Sequence, residues 1–167
     1  NLGKLVMGEK SPLPCTPNGI LALLADHGVE LAGNHLVIVG RGLTIGRPLA
    51  LLAALKRADA NAAVTVVHTG VDDLGSLTRT ADVIVAAAGC PGLITADMVR
   101  PGAAVVAAGV TMDGRRVVSD VADDVAEVAG WLSPRLGGVG PMTRAMLLVN
   151  TVDAASATAE SRLVETA

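Results

Sequence analysis

The residues with the most chemistry to offer in this chain are glycines. In Val37-Ile38-Val39-Gly40-Arg41-Gly42-Leu43-Thr44-Ile45-Gly46-Arg47-Pro48 an apolar strand runs into a glycine-spaced turn and then into a helix. Glycines let backbone come close to a ligand, and free N–H groups at a helix start face an anion, so the stretch suits a phosphate-bearing cofactor. The spacing alone is a weak signal, and its context decides its worth. Other reactive groups are scarce. There is no Tyr and no Phe, one Trp (Trp131) and three lysines, Lys4, Lys10 and Lys56. No step in this chain can use a tyrosine acid or base. Cys15 and Cys90 are sparse and distant, and they read as free thiols of a reducing cytoplasm, both buried as small hydrophobes.

The elements that must position these glycines follow from composition and pattern. A chain of 167 residues, 51% hydrophobic and 17% charged, suits one domain that buries roughly 70% of its extended surface. A net charge of -3 without a basic cluster argues against a nucleic-acid partner. No apolar run approaches the ~20 residues that span a bilayer, so no membrane partner is expected. No metal-ligand cluster is expected either.

Thr16-Pro17 predicts a helix start, with Thr16 as N-cap and Pro17 first in the helix, and Gly28 ends it. His27 reads as a helix-end residue rather than a ligand. His35–Val39 is an almost wholly apolar strand, the pattern of burial on both faces. The helix after the glycine turn is predicted from Gly46 to Arg57, burying Leu49, Leu52 and Leu55. Further strands are predicted at 63–68, 81–89 and 103–108, with Trp131-Leu132 strand-like. Asp72-Asp73 opens a short helix through Thr78, Thr95 caps a turn over 96–99, Asp113-Gly114 is a turn, and 120–128 is helical. Strand and helix alternate, so the fold class is α/β, a Rossmann-like parallel sheet with helices on both faces. Ligands in such sheets sit at the carboxyl ends of the strands. Those ends are Gly40/Gly42, Thr69/Gly70, Gly89/Gly92 and Gly109, four glycine-rich loops together. The competing reading is that glycine simply terminates strands.

The cofactor follows from the second strand. An NAD-selective domain usually ends that strand in Asp or Glu, which bonds the ribose hydroxyls. This one ends His68-Thr69-Gly70, with no acid to repel a phosphate. Thr69 can donate a hydrogen bond, and Arg41 can reach the same region. A charged hydrogen bond of that kind contributes roughly 1.5–3 kcal/mol, about 10–100-fold in preference. NADP is therefore expected over NAD. The competing reading of Arg41 is a solvated loop charge.

Gly137-Gly138-Val139-Gly140-Pro141-Met142-Thr143 precedes a final helix with apolar residues at Met142, Ala145, Met146, Val149 and Val152. Its partner surface is not evident from the sequence. Together with Asn1-Leu2-Gly3-Lys4-Leu5, Pro14-Cys15-Thr16-Pro17, the 40–48 turn, 81–92 and 94–103, this segment resembles the bifunctional methylenetetrahydrofolate dehydrogenase/methenyltetrahydrofolate cyclohydrolase family over essentially the whole chain. The resemblance implies a usually dimeric, two-domain enzyme that oxidises 5,10-methylenetetrahydrofolate with NADP and hydrolyses the methenyl product to 10-formyltetrahydrofolate. It implies that Gly40, Arg41, Gly42, Thr69 and Val110 bind the cofactor. Gly137, Gly138, Val139 and Pro141 would face the folate. The family's catalytic Tyr and Lys lie in a first domain, so no catalytic residue is expected in this chain.

The same resemblance divides the chain. Residues 1–16 would belong with the missing catalytic domain, 17–140 would form the NADP-binding domain, and 141–167 would return toward the missing domain. An apolar stripe including Met142 and Met146 would then await that domain or a second copy. Some positions depart from the family: Gly42 stands for its usual Ser, Ala107 for Asp, Ser119 for Gly, and Arg135-Leu136 for Val-Pro. Ala107 and Arg135 can alter substrate handling. Two alternatives stand beside this reading, a shikimate-dehydrogenase-type oxidoreductase and a stand-alone NADP-binding or dimerisation module.

Overall fold

A computed structural model describes the backbone of residues 1–165 and the side chains of residues 1–159. In chain order the helices are α1 (Leu2–Val6), α2 (Cys15–Asp26), α3 (Gly46–Ala53), α4 (Leu74–Thr78) and α5 (Val139–Glu165). The strands are β1 (His35–Val39), β2 (Ala63–Val67), β3 (Val83–Ala86), β4 (Ala104–Ala107), β5 (Val110–Asp113), β6 (Arg116–Ser119) and β7 (Trp131–Leu132). Five strands form a parallel sheet in the order β2-β1-β3-β4-β7. The chain leaves β1 to one side for β2, then crosses to the other side for β3. That reversal opens a crevice at the carboxyl ends of β1 and β3, between the loops that follow them.

Alternate side chains of each strand serve two separate cores. Leu36 and Ile38 of β1, Val83 and Val85 of β3 and Val106 of β4 point to one face. Ile20 and Leu24 of α2, Leu49 and Leu52 of α3, and Val139 at the start of α5 close over them. Val37, Val39, Ile84, Ala86 and Val105 point to the other face. There Leu74 of α4, Ile94, Val99 and Val125 cover them. Each large apolar side chain fully removed from water contributes about 1.5–3 kcal/mol. Helices therefore lie on both faces as the sequence predicts, although the second cover is thinner. It consists of α4 and two 3₁₀ turns, Ala96–Met98 and Asp123–Glu127.

Several boundaries differ from the sequence reading. α2 begins at Cys15 with Pro14 in the N-cap position, so Thr16 lies inside the helix. Its hydroxyl accepts a hydrogen bond from the Thr143 hydroxyl at 3.0 Å instead of capping. Pro17 still falls in the first turn, where its missing N–H has no helical partner. Gly28 ends α2 as expected, at φ +69°, with the Gly28 N–H donating to Ala25 O and the Val29 N–H to Leu24 O. α3 stops at Ala53 rather than Arg57, because the chain turns back to let Ala62 N–H donate to Ala53 O. Thr95 makes no capping bond; its hydroxyl donates to the Asp97 carboxylate. The helix expected over 120–128 is reduced to the 3₁₀ turn, and Asp120 lies outside it. Neither cysteine is fully buried: both are half-exposed free thiols.

The expected Asp113-Gly114 turn is the tip of an antiparallel hairpin, β5 on β6, that the sequence reading left without strands. Asp113 pairs with Arg116 across a two-residue loop, and Gly114 supplies the positive φ such a loop requires. α5 begins at Val139, two residues before the expected boundary at 141. Its partner is α2: Gly19 lets the helices approach until a Cβ there would stand 3.0 Å from the Met142 carbonyl carbon. Met142 packs on the first core and Met146 accepts a hydrogen bond from the Asn18 amide. These two residues are thus not the uncovered stripe the sequence predicts. Among the described residues of α5, the large apolar side chains that are exposed are Leu147, Leu148, Val149 and Val152. Of residues 1–16, Leu5 is buried in the first core. Residues 166 and 167 of the expected terminal helix lie outside the described residues.

Candidate dinucleotide site

The turn after β1 is built on two glycines that have no alternative. Gly40 has φ +130°, and a Cβ there would overlap the Ala87 carbonyl oxygen of the loop after β3. A Cβ on Gly46 would overlap the Gly40 carbonyl oxygen. Gly40 therefore seats the turn against the neighbouring loop, and Gly46 lets α3 start directly above it. Gly42 differs: it has an ordinary φ, and open space surrounds its Cβ position. Residues 41 to 44 are all exposed. No side chain caps α3; the Arg47 N–H donates to Gly42 O and Pro48 has no N–H, so an anion above the corner would meet the positive end of the helix dipole rather than a ring of free N–H groups.

Arg41 and Thr69 both follow the carboxyl ends of neighbouring strands. Val39 of β1 and Val67 of β2 are paired in register, and Arg41 and Thr69 each stand two residues beyond. Both are exposed. No carboxylate follows β2 before Asp72.

A cleft of about 640 Å³ continues from this turn along the carboxyl edge. Ile45, Val110, Gly137, Val139, Pro141 and Thr143 are among the residues that line it. Gly137 takes φ +84°. Gly138 passes so close to the Pro134 carbonyl that a Cβ would stand 2.5 Å from its oxygen. The second glycine of the pair thus serves chain packing rather than the open face of the cleft. Gly40, Arg41, Gly42, Thr69 and Gly138 do not line this cleft; Val110, Gly137, Val139 and Pro141 do. The 137–143 segment is also not all loop, because Val139 to Pro141 are the first turn of α5.

Two departures find local partners. The Ala107 N–H donates to the Ser133 hydroxyl at 2.9 Å, and Arg135 donates to Asp123 at 2.7 Å. Sequence reasoning missed Asp120. It is fully buried and accepts hydrogen bonds from the N–H groups of Ala88 and Gly89 at 2.6 and 2.7 Å. Its one signal is an acid between apolar neighbours, Val117-Val118-Ser119-Asp120-Val121.

A parallel sheet with a reversal of strand order, an uncapped helix above a glycine corner and a long cleft over its carboxyl edge defines a dinucleotide-binding domain. The chain matches the family described as tetrahydrofolate dehydrogenase/cyclohydrolase, NAD(P)-binding domain, over residues 14–159, and it belongs to that family. It is 57% identical over 155 residues to the bifunctional protein FolD of Syntrophotalea carbinolica, covering 93% of this chain and 53% of that protein. The crystal structure of bifunctional FolD, a methylenetetrahydrofolate dehydrogenase/cyclohydrolase from Campylobacter jejuni, matches with a TM-score of 0.86 and 41% identity, over 94% of this chain and 55% of that one. A Trypanosoma brucei FolD, solved in complex with NADP cofactor and inhibitor, matches with a TM-score of 0.80 and 40% identity, over 91% and 54%. The chain spans about half the length of the curated relatives it matches. Family membership removes the shikimate-dehydrogenase-type alternative. Among the described residues, no helix is long and apolar enough to cross a membrane.

Proposed function

We propose that this chain is the NADP-holding part of an enzyme that oxidises 5,10-methylenetetrahydrofolate and hydrolyses the methenyl product to 10-formyltetrahydrofolate. The observation that carries the reading is the cleft itself, which joins the α3 corner, Val110 and the 137–143 segment into one surface. That surface meets the glycine corner at Ile45 and includes Gly137 and Gly140 of the later segment. A bound NADP would supply the hydride acceptor. Gly40, its own N–H held by Val67 O, and Gly42 would let the backbone of the turn approach its phosphates. Arg41 and Thr69 would hold the 2′-phosphate by charge and hydrogen bond. Val110 would lie against the nicotinamide end, and Gly137, Val139 and Pro141 would face the folate, while Gly138 serves the packing of that segment on Pro134.

The chain contains no tyrosine, so the proton chemistry falls to residues of a further catalytic domain, with which residues 1–16 and α5 would pack. A homodimer in the cytoplasm fits the same reading. Calorimetric titration of the 167-residue chain tests it. NADP should bind more tightly than NAD, while methylenetetrahydrofolate should not be turned over. Equal affinity for the two cofactors would overturn the NADP assignment, and measurable dehydrogenase activity would overturn the division of labour.

A further inference from the structure

Asp120 lies where the β5–β6 hairpin returns to the sheet. Its N–H donates to Gly109 O at 3.0 Å, closing the hairpin base, and its carbonyl accepts from Ile94 N–H at 2.9 Å. Its carboxylate fills the space beside Gly109, where any Cβ would overlap it. One oxygen, Oδ2, takes both successive N–H groups of Ala88 and Gly89. The other, Oδ1, is buried and has no hydrogen-bond partner. A fully buried carboxylate with an orphaned oxygen is costly to keep, and an apolar residue would serve simple packing better.

Its position shows what the carboxylate holds. Ala88 and Gly89 follow Ala87, whose N–H donates to Val39 O at 2.7 Å and whose carbonyl meets the Gly40 corner. Gly109 N–H donates to Ala86 O, one residue earlier on β3. A single side chain thus links the loops after β3 and β4 and, through Ala87, the turn after β1. Gly89 sits at φ +67°, so the two N–H groups converge and can share one oxygen.

We propose that Asp120 is a positioning residue for the dinucleotide: its carboxylate sets the height of the 87–89 loop against Gly40 and thereby the shape of the phosphate corner. The proposal rests on the NADP reading above. The test is calorimetric NADP affinity measured beside thermal unfolding of the whole chain. Asp120→Asn presents an amide oxygen to the same two N–H groups and should stay within about threefold of wild type. Asp120→Ala should weaken NADP about tenfold or more. Val125→Ala removes buried surface on the same face away from the corner. It should lower the unfolding midpoint while leaving NADP affinity within about threefold. A folded Asp120→Ala chain that binds NADP like wild type would overturn the proposal. So would an Asp120→Asn chain that loses as much as Asp120→Ala.

Where Asp120→Ala does not fold, amide hydrogen exchange of the wild-type chain decides. Ala88 and Gly89 should be protected, and more so once NADP is added; rapid exchange at both, or no response to NADP, overturns it. Wild-type chain that binds no NADP but protects both amides would instead count against the cofactor reading, with the brace itself intact.

Discussion

The two ends of the parallel sheet are held together in opposite ways. At the amino ends, side chains tie the strands to one another. The His35 N–H donates to Asp82 at 2.8 Å, and Arg100 donates to the second oxygen of the same carboxylate. The His35 ring nitrogens lie 3.1 Å from the Thr80 carbonyl oxygen and 2.9 Å from the Thr65 hydroxyl. Every one of these groups has found a partner within the chain. At the carboxyl ends the loops are joined by close backbone approach of Gly40 to Ala87 and by one buried carboxylate, which also fills the space beside Gly109. The polar side chains there, Arg41 and Thr69, are exposed. One end closes the structure on itself, and the other keeps its donors for a ligand. Damage to the first should register as stability, and damage to the second as binding.

The largest effect should come from the corner itself. Gly40→Ala places a methyl group on the Ala87 carbonyl oxygen, in a backbone conformation that L-residues rarely adopt. Strain and overpacking together should cost roughly 2–4 kcal/mol, and NADP binding should be lost. Chemical denaturation and calorimetry measure the two. A stable variant that still bound NADP would erase the contrast between the two ends.

Next is Arg41→Ala. It removes an exposed charge, so stability should move by no more than about 0.5 kcal/mol. NADP affinity should fall about 10–100-fold, while NAD affinity stays unchanged. A loss shared equally by both cofactors would mean that Arg41 does not read the 2′-phosphate.

The amino end should answer in the other way. Asp82→Ala should cost about 1 kcal/mol, after discount for its partly exposed pair with Arg100, and should leave NADP affinity alone. The hydrogen bond from the His35 N–H, helped by Arg100, holds the Asp82 carboxyl below its ordinary value of 3.8. A depressed carboxyl pKa contributes stability that is complete above the unfolded value and is lost as pH falls through the folded one. Wild type should therefore lose stability through the acid range below about pH 4, and Asp82→Ala should lose less there. Parallel acid titrations of the two would expose a wrong sign directly.

The same contrast explains which parts of the molecule were legible in the sequence. β1 was read with its observed ends, because four apolar residues between His35 and a glycine turn leave little choice. The 40–46 corner was legible for the same reason. The β5–β6 hairpin was not: Arg115 and Arg116 beside Asp113 break the alternation of a half-buried strand, and only the turn residues remained visible. α3 was overextended because Leu55 continues the helical period. The competing bond from Ala62 to Ala53 is set by tertiary structure. Asp120 was hidden because its partners are backbone N–H groups 31 and 32 residues away. Nothing in the types of residues 88 and 89 announces them. The face of α5 was misjudged at Met142 and Met146 because helical spacing shows a stripe without showing which neighbour covers it.

The smallest expected effect separates two reasons for a glycine inside one turn. Gly40 and Gly46 are required by backbone that a side chain would strike. Gly42 has neither a positive φ nor a neighbour within 4 Å of its Cβ position. The chain's own architecture therefore does not demand glycine there, and any demand must come from the ligand side. Gly42→Ser should change stability by no more than about 0.5 kcal/mol. Its hydroxyl would add a donor on the exposed 41–44 stretch before α3, so NADP affinity should hold or rise. A fall in affinity at unchanged stability would show that the cofactor backbone packs directly on Gly42. The open space there would then be part of the binding surface itself.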